Sequence, residues 1–114
     1  MVTIYHNQRC SKSRCTLDLL RERGLEPQVI NYLETPPTAE ELGRLLDLLG
    51  IEPRALLRRG EAAYRELDLA NPDLSRDELI AAMVANPILI ERPIVVNGDR
   101  AALGRPPEQV LDIL

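Results

Sequence analysis

Apolar and polar residues alternate at the start of the chain, where Val2 and Ile4 interleave with Thr3 and Tyr5, and this period of two predicts a first β-strand. His6-Asn7-Gln8-Arg9-Cys10 follows as a turn. From about Ser11 to Arg23 the spacing becomes helical, with Leu17 and Leu20 on one face and Gly24 as a left-handed stop. Gln28-Val29-Ile30-Asn31-Tyr32 reads as a second strand, and a strand-helix-strand opening this short implies that the two strands are parallel. After Thr35-Pro36-Pro37, Thr38 and Glu41 have capping-box spacing ahead of Leu42, Leu45, Leu46 and Leu49, and Gly50 ends that helix. Pro53 opens a short helix, Glu61 to Leu67 forms another, and Ser75 with Glu78 caps a third that carries Leu79, Ile80, Met83 and Val84. Asn86-Pro87 ends the helical stretch. Ile88-Leu89-Ile90 and Ile94-Val95-Val96 read as short strands, Asn97-Gly98 as a hairpin turn, and Arg100 to Leu103 as the return strand. Pro106-Pro107 opens a last helix bearing Val110, Leu111 and Leu114. The predicted class is α/β, a mixed sheet flanked by helices with a helical insertion at about 53–86.

Composition narrows this picture. With 114 residues there is room for one domain, expected to span 1–114, and 45% hydrophobic with 28% charged residues is ordinary globular usage. The longest apolar runs fall far short of the roughly 20 residues a bilayer span needs, so no membrane segment is expected. Met1-Val2-Thr3-Ile4-Tyr5 has neither the basic start nor the apolar run of a signal peptide, and a cytoplasmic location with reduced thiols is expected. The net charge of -4 has the wrong sign for nonspecific nucleic-acid binding. Phe and Trp are absent, which makes the core aliphatic and leaves three tyrosines as the only stacking surfaces.

Cys10 stands where a strand has ended and a helix begins. Unpaired amides and the positive end of the helix dipole favour a thiolate there, and Arg9, Lys12, Arg14 and His6 are candidates for nearby positive charge. A free thiol at about 8.5 is only about 3% ionised at pH 7, whereas one lowered to about 6.5 is roughly three-quarters ionised. Cys10 is therefore a candidate nucleophile, the alternative being a small buried core cysteine. Cys15 lies about 140° around the helix from Cys10, so a bond between the two would require unwinding, and a packing role is expected for it. Ser13 occupies the place of a second C-x-x-C thiol. One His and two Cys give no metal site of usual type, and none is expected. His6 is open to three readings: a tuner of Cys10, a general acid, or a strand end facing water. No G-x-S-x-G elbow, phosphate loop or C-x5-R phosphatase signature is present.

His6-Asn7-Gln8-Arg9-Cys10-Ser11-Lys12-Ser13-Arg14 with Thr16-Leu17 resembles the active-site segment of the glutaredoxin-coupled arsenate reductases, the ArsC family. Asn31-Tyr32-Leu33-Glu34-Thr35-Pro36-Pro37, Arg54-Ala55-Leu56-Leu57-Arg58, the run Pro87 to Val96 and Gly104-Arg105-Pro106 resemble the family's other landmarks, in order and at matching spacing. The resemblance covers nearly the whole chain. It implies a thioredoxin-like fold with the catalytic cysteine at Cys10, His6 favouring the thiolate, and three oxyanion-handling arginines at Arg58, Arg92 and Arg105. Ser13 and Arg14 are implied in substrate binding, and Pro93 as the cis-proline beside the cysteine. Guanidinium groups suit a tetrahedral oxyanion because they are always charged and present fixed donor forks. Gln8 departs from the family's usual proline and leaves the loop before Cys10 without a stiffening ring.

The implied reaction is reduction of arsenate to arsenite. Glutathione serves as cosubstrate and glutaredoxin as the partner that clears the mixed disulfide, with no bound cofactor, and the protein is expected to be a monomer. A resolving thiol from outside agrees with the missing C-x-x-C. Two other functions remain open at this stage: an Spx-like redox regulator that binds RNA polymerase, and a glutathione-dependent thiol reductase with a non-arsenate substrate. Ser13 weighs against the first, and the three arginines weigh against the second.

Overall fold

In the computed structural model, which describes residues 2–114, strand β1 (Val2–His6) buries every second residue, Val2, Ile4 and His6. The same period of two that predicts the strand thus carries His6 into the interior. Helix α1 (Ser11–Glu22) crosses back, and β2 (Gln28–Asn31) pairs with β1 in parallel, setting Ile4 beside Val29 and His6 beside Asn31. On the other edge of β1, β3 (Ile94–Asn97) runs antiparallel with Ile4 opposite Val95, and β4 (Arg100–Leu103) pairs antiparallel with β3. The sheet order is β2-β1-β3-β4. Val2, Ile4, Leu17, Leu20, Val95, Val110 and Ile113 form the core on one face of this sheet, closed by a 3-10 segment at Pro107–Ile113 that packs on β4 and α1.

This sheet unit comprises residues 2–35 and 92–114, and residues 36–91 form a second compact unit, wider than the insertion expected at about 53–86. The second unit holds α2 (Ala39–Leu49), α3 (Pro53–Leu56), α4 (Ala62–Glu66) and α5 (Arg76–Ala85). Both capping boxes form: Thr38 Oγ1 and Ser75 Oγ accept from the N–H of Glu41 and Glu78 at 3.1 and 3.2 Å, and each glutamate reaches back to the N–H of its cap. α2 and α5 pack together, and their apolar stripes bury Leu42, Leu45, Leu46, Leu79, Ile80 and Met83. Among the described residues, no helix is long and apolar enough to cross a membrane.

Three local expectations change. Ile88-Leu89-Ile90 is not a strand: Pro87 fixes a helical φ, its carbonyl accepts the N–H of Ile90 at 2.9 Å, and a 3-10 turn covers Pro87–Leu89. Only Ile90 makes an isolated bridge, to Leu57. The last helix is 3-10 rather than α, because its interior positions are Val110 and Ile113, three apart, and side chains at that spacing eclipse in a 3-10 turn. Leu114 is accordingly exposed rather than buried. The hairpin loop is Gly98-Asp99, one residue later than read, with Gly98 at φ 64 in the first central position, as a type II′ turn requires.

Past β4, Gly104 donates its N–H to the Pro93 carbonyl at 3.0 Å. A Cβ at Gly104 would press on Thr16 Oγ1 and stand 2.7 Å from Pro93 Cγ. Thr16 is fully buried, and its hydroxyl already donates to the Lys12 carbonyl at 2.8 Å, so it has little freedom to yield. Gly104→Ala is expected to lose about 1–3 kcal/mol, the usual cost of overpacking, read as a lower urea midpoint at unchanged slope. An unchanged midpoint would show that the close approach is not a constraint.

Candidate active site

The end of β1 releases the chain at Asn7, which is buried, and the next three residues fold back on it. The Arg9 N–H donates to Asn7 Oδ1 and the Cys10 N–H to the Asn7 carbonyl, each at 3.0 Å. Cys10 is thereby left as the N-cap of α1 with extended backbone (φ -93, ψ 122), and its carbonyl accepts the first helical bond, from Arg14, at 3.0 Å. Its sulfur lies at the mouth of the helix without a side-chain capping hydrogen bond, where the backbone N–H groups of Ser13 and Lys12 favour the thiolate. The side chain is partly exposed and not in a disulfide.

Two arginines from the far end of the sequence complete the surroundings of the sulfur. Arg92, just before β3 and joined to Pro93 by a cis peptide, is a buried side chain that hydrogen-bonds Cys10. Arg105, just after β4, donates from Nε to the Arg92 carbonyl at 2.7 Å and from Nη2 to Cys10 Sγ at 3.6 Å. Burial alone pushes the Cys10 thiol up. The N–H of Ser13, the Arg92 guanidinium and the N–H of Lys12 together outweigh that penalty, and the net shift is downward.

The local cations act differently from expectation. Lys12 contributes its backbone rather than its ammonium, and Arg14 is pinned at the surface, donating from Nη1 to the Gln8 carbonyl at 2.9 Å. The positive charge at the sulfur comes from Arg92 and Arg105, not from the cations next to Cys10 in sequence. Ser13, expected at the substrate, has a fully buried hydroxyl that accepts from the Asn7 N–H at 3.1 Å and lies 2.7 Å from His6 Nδ1. Its contribution to the sulfur is its N–H. His6 is buried, which removes the reading of a strand end facing water. Burial, then the charges of Arg21 and Arg14, push its pKa below the ordinary 6.5. This favours the neutral imidazole at pH 7, whose Nδ1 shares a hydrogen bond with the Ser13 hydroxyl. It orients Ser13 and adds no positive charge. Cys15, expected in packing, is exposed on α1.

Arg58 belongs to the helical unit. There Nη1 pairs with Glu91 at 2.7 Å and Nε with Glu61 at 3.4 Å, and the Arg58 N–H donates to the Leu89 carbonyl. Burial works against its charge, but Glu91 and Glu61 hold it firmly protonated. The sheet unit thus brings together Cys10, Ser13, His6, Arg92, Arg105 and Pro93. Sequence reasoning missed Asn7 and Glu91. Asn7 had a signal: an asparagine at a strand end, two residues before a free N–H, is the usual start of an Asx turn.

A shallow groove of about 270 Å³ flanks the Cys10 loop, lined by Asn7, Gln8, Arg9, Asn31, Leu33 and Glu34. Among the described residues, no group of three or more His, Cys, Asp or Glu could hold a metal ion.

The family model described as "ArsC family" matches residues 5–113. An arsenate reductase from Vibrio cholerae has a solved structure that superposes with a TM-score of 0.97 at 59% identity, covering 99% of this chain and 97% of that one. The uncharacterized protein YfgD of Escherichia coli strain K12 is 58% identical over 99% of this chain and 96% of its own length. An arsenate reductase of the same strain is 51% identical over 99% of this chain and 80% of its own. The shared architecture is the thioredoxin-like α/β fold.

The depressed pKa of His6 has a consequence for stability. Because the folded value lies below the unfolded one, about 6.5, the unfolded state binds more protons between the two values. Its contribution is complete above the unfolded value and is lost as the pH falls through the folded one. The urea midpoint is expected to fall over that acid window more steeply for the wild type than for His6→Gln, which keeps an acceptor for Ser13 but cannot titrate. Parallel slopes would contradict a neutral, buried imidazole.

Proposed function

This chain belongs to the ArsC family, and from that premise we propose that it is an arsenate reductase in which the Cys10 thiolate attacks arsenic(V) and glutathione and glutaredoxin supply the electrons. The observation that carries the proposal is the convergence of Arg92 and Arg105 on the Cys10 sulfur. A thiolate alone would serve many thiol reactions. Fixed guanidinium donors beside it favour a tetrahedral oxyanion and stabilise the negative charge that gathers on its oxygens in the transition state. The chain as a whole is acidic, so attraction of an anion is a local matter for these groups. Close relatives named arsenate reductase lend the substrate.

In the proposed sequence, the Cys10 sulfur bonds to arsenic and an arsenate oxygen leaves as water after protonation. The thiolate of glutathione then attacks the Cys10 sulfur. The sulfur-arsenic bond breaks with its electron pair remaining on arsenic, so the two thiols are oxidised to a Cys10-glutathione disulfide and arsenic(V) is reduced to arsenite. A glutaredoxin thiolate takes the glutathionyl group by thiol-disulfide exchange and releases the Cys10 thiolate. Cys15, exposed on α1, has no part in these steps. Family resemblance assigns Arg58 to oxyanion handling as well, and its two carboxylate partners keep it charged.

The test is NADPH consumption coupled through glutathione reductase, glutathione and glutaredoxin, with and without arsenate. Arsenate-dependent turnover is expected in the wild type and in Cys15→Ser, and none in Cys10→Ser. Arg92→Ala and Arg105→Ala are each expected to lose about 10²–10³-fold, the cost of removing one oxyanion donor, with the fold intact by circular dichroism. Consumption independent of arsenate would point instead to a thiol reductase with another substrate. Full turnover in Cys10→Ser would remove the proposed nucleophile.

A further inference from the structure

We propose that Asn7 is the positioning residue of the nucleophile: its amide and backbone, together, hold the Cys10 sulfur over the first turn of α1. The inference deepens the reading of Cys10 as the attacking thiolate and rests on it. Three polar groups of this one buried residue are engaged on the segment that ends at the nucleophile. Oδ1 takes the Arg9 N–H at 3.0 Å, the carbonyl takes the Cys10 N–H at 3.0 Å, and the N–H goes to Ser13 Oγ at 3.1 Å. The first two bend the chain sharply enough for Cys10 to become the N-cap. The third ties the end of β1 to the third residue of α1, whose N–H faces the sulfur.

Gln8 carries no ring that would hold this loop by covalent geometry, so hydrogen bonds must do so. The Arg14 guanidinium fastens the Gln8 carbonyl from outside, and Asn7 fastens the loop from inside. Removing the Asn7 amide frees the Arg9 N–H, but Arg9 is at the surface and water can satisfy it. The fold therefore bears little of the loss. The burden falls on sulfur placement, because donors on a helix terminus stabilise a thiolate only while it stays within the first turn. The groups facing the sulfur are Arg92, Arg105 and the N–H groups of Lys12 and Ser13, with neutral His6 one bond behind Ser13. All of these survive truncation of Asn7, so a change in Cys10 reports geometry alone.

The experiment follows the rate of Cys10 alkylation by iodoacetamide against pH in a Cys15→Ser background, where Cys10 is the one remaining thiol. It requires no arsenate, so it stands whether or not arsenate turnover is found. For Asn7→Ala the midpoint is expected to rise by about half to one unit, a roughly three- to tenfold smaller thiolate fraction well below the midpoint. The plateau rate at high pH should increase, because a more basic thiolate is more nucleophilic. Asn7→Ser, whose hydroxyl can accept from residue 9 more weakly, should lie between. In turnover, kcat is expected to fall while the KM for arsenate holds. Profiles of the Ala and Ser variants that superpose on the Asn7 parent would overturn the proposal. If Asn7→Ala does not fold, the Ser variant alone decides, an upward shift supporting the role and superposition refuting it.

Discussion

Everything the active site does depends on balancing one unfavourable term, the burial of a sulfur anion, against donors that cannot move away. Burial raises the Cys10 thiol, and two backbone amides of α1 and the guanidinium of Arg92 reverse the sign. None of these donors is a loosely tethered surface charge. The amides belong to the first turn of a helix, and Arg92 is itself buried, with Arg105 bonded to its carbonyl. Donors fixed in this way stabilise the thiolate without having to reorganise around it.

The fold supplies this arrangement by bringing together segments that lie far apart in sequence. β1 ends at the interior histidine and delivers the turn that caps α1. β3 and β4 pair with each other, β3 lying beside β1, so Arg92, two residues before β3, and Arg105, two residues after β4, meet at the same sulfur. The close approach of Gly104 to Pro93 and Thr16 locks the two flanking segments against α1 itself. His6 and Ser13 then work as supports. The interior imidazole hydrogen-bonds the serine hydroxyl, the serine oxygen accepts the Asn7 N–H, and the residue whose amide faces the sulfur is thereby held in place.

Much of this was legible in the residues, and the parts that were not share a cause. Capping boxes at Thr38 and Ser75, the parallel opening and the place of Cys10 at a helix mouth follow from local spacing, and local spacing is what a single chain displays. The apolar run at Ile88–Ile90 misled because hydrophobicity is common to a strand and a buried turn, and the backbone bonds made by Pro87 decide between them. Leu111 and Leu114 misled because a period of 3.6 was assumed where the backbone repeats every three. The source of positive charge was misplaced for a different reason: Arg9, Lys12 and Arg14 are near Cys10 in sequence, whereas proximity to the sulfur is set by strand pairing. Resemblance to the ArsC family, rather than any spacing rule, pointed to Arg92 and Arg105.

The central claim is that fixed donors hold the Cys10 thiol below its ordinary range despite burial, and ultraviolet titration of thiolate absorbance in Cys15→Ser measures this without any substrate. The account predicts a single transition with its midpoint below that of an ordinary thiol, about 8.5, moving upward when Arg92 is replaced by alanine. A midpoint at or above the ordinary value, insensitive to Arg92, would mean that burial wins at this sulfur and would contradict the account.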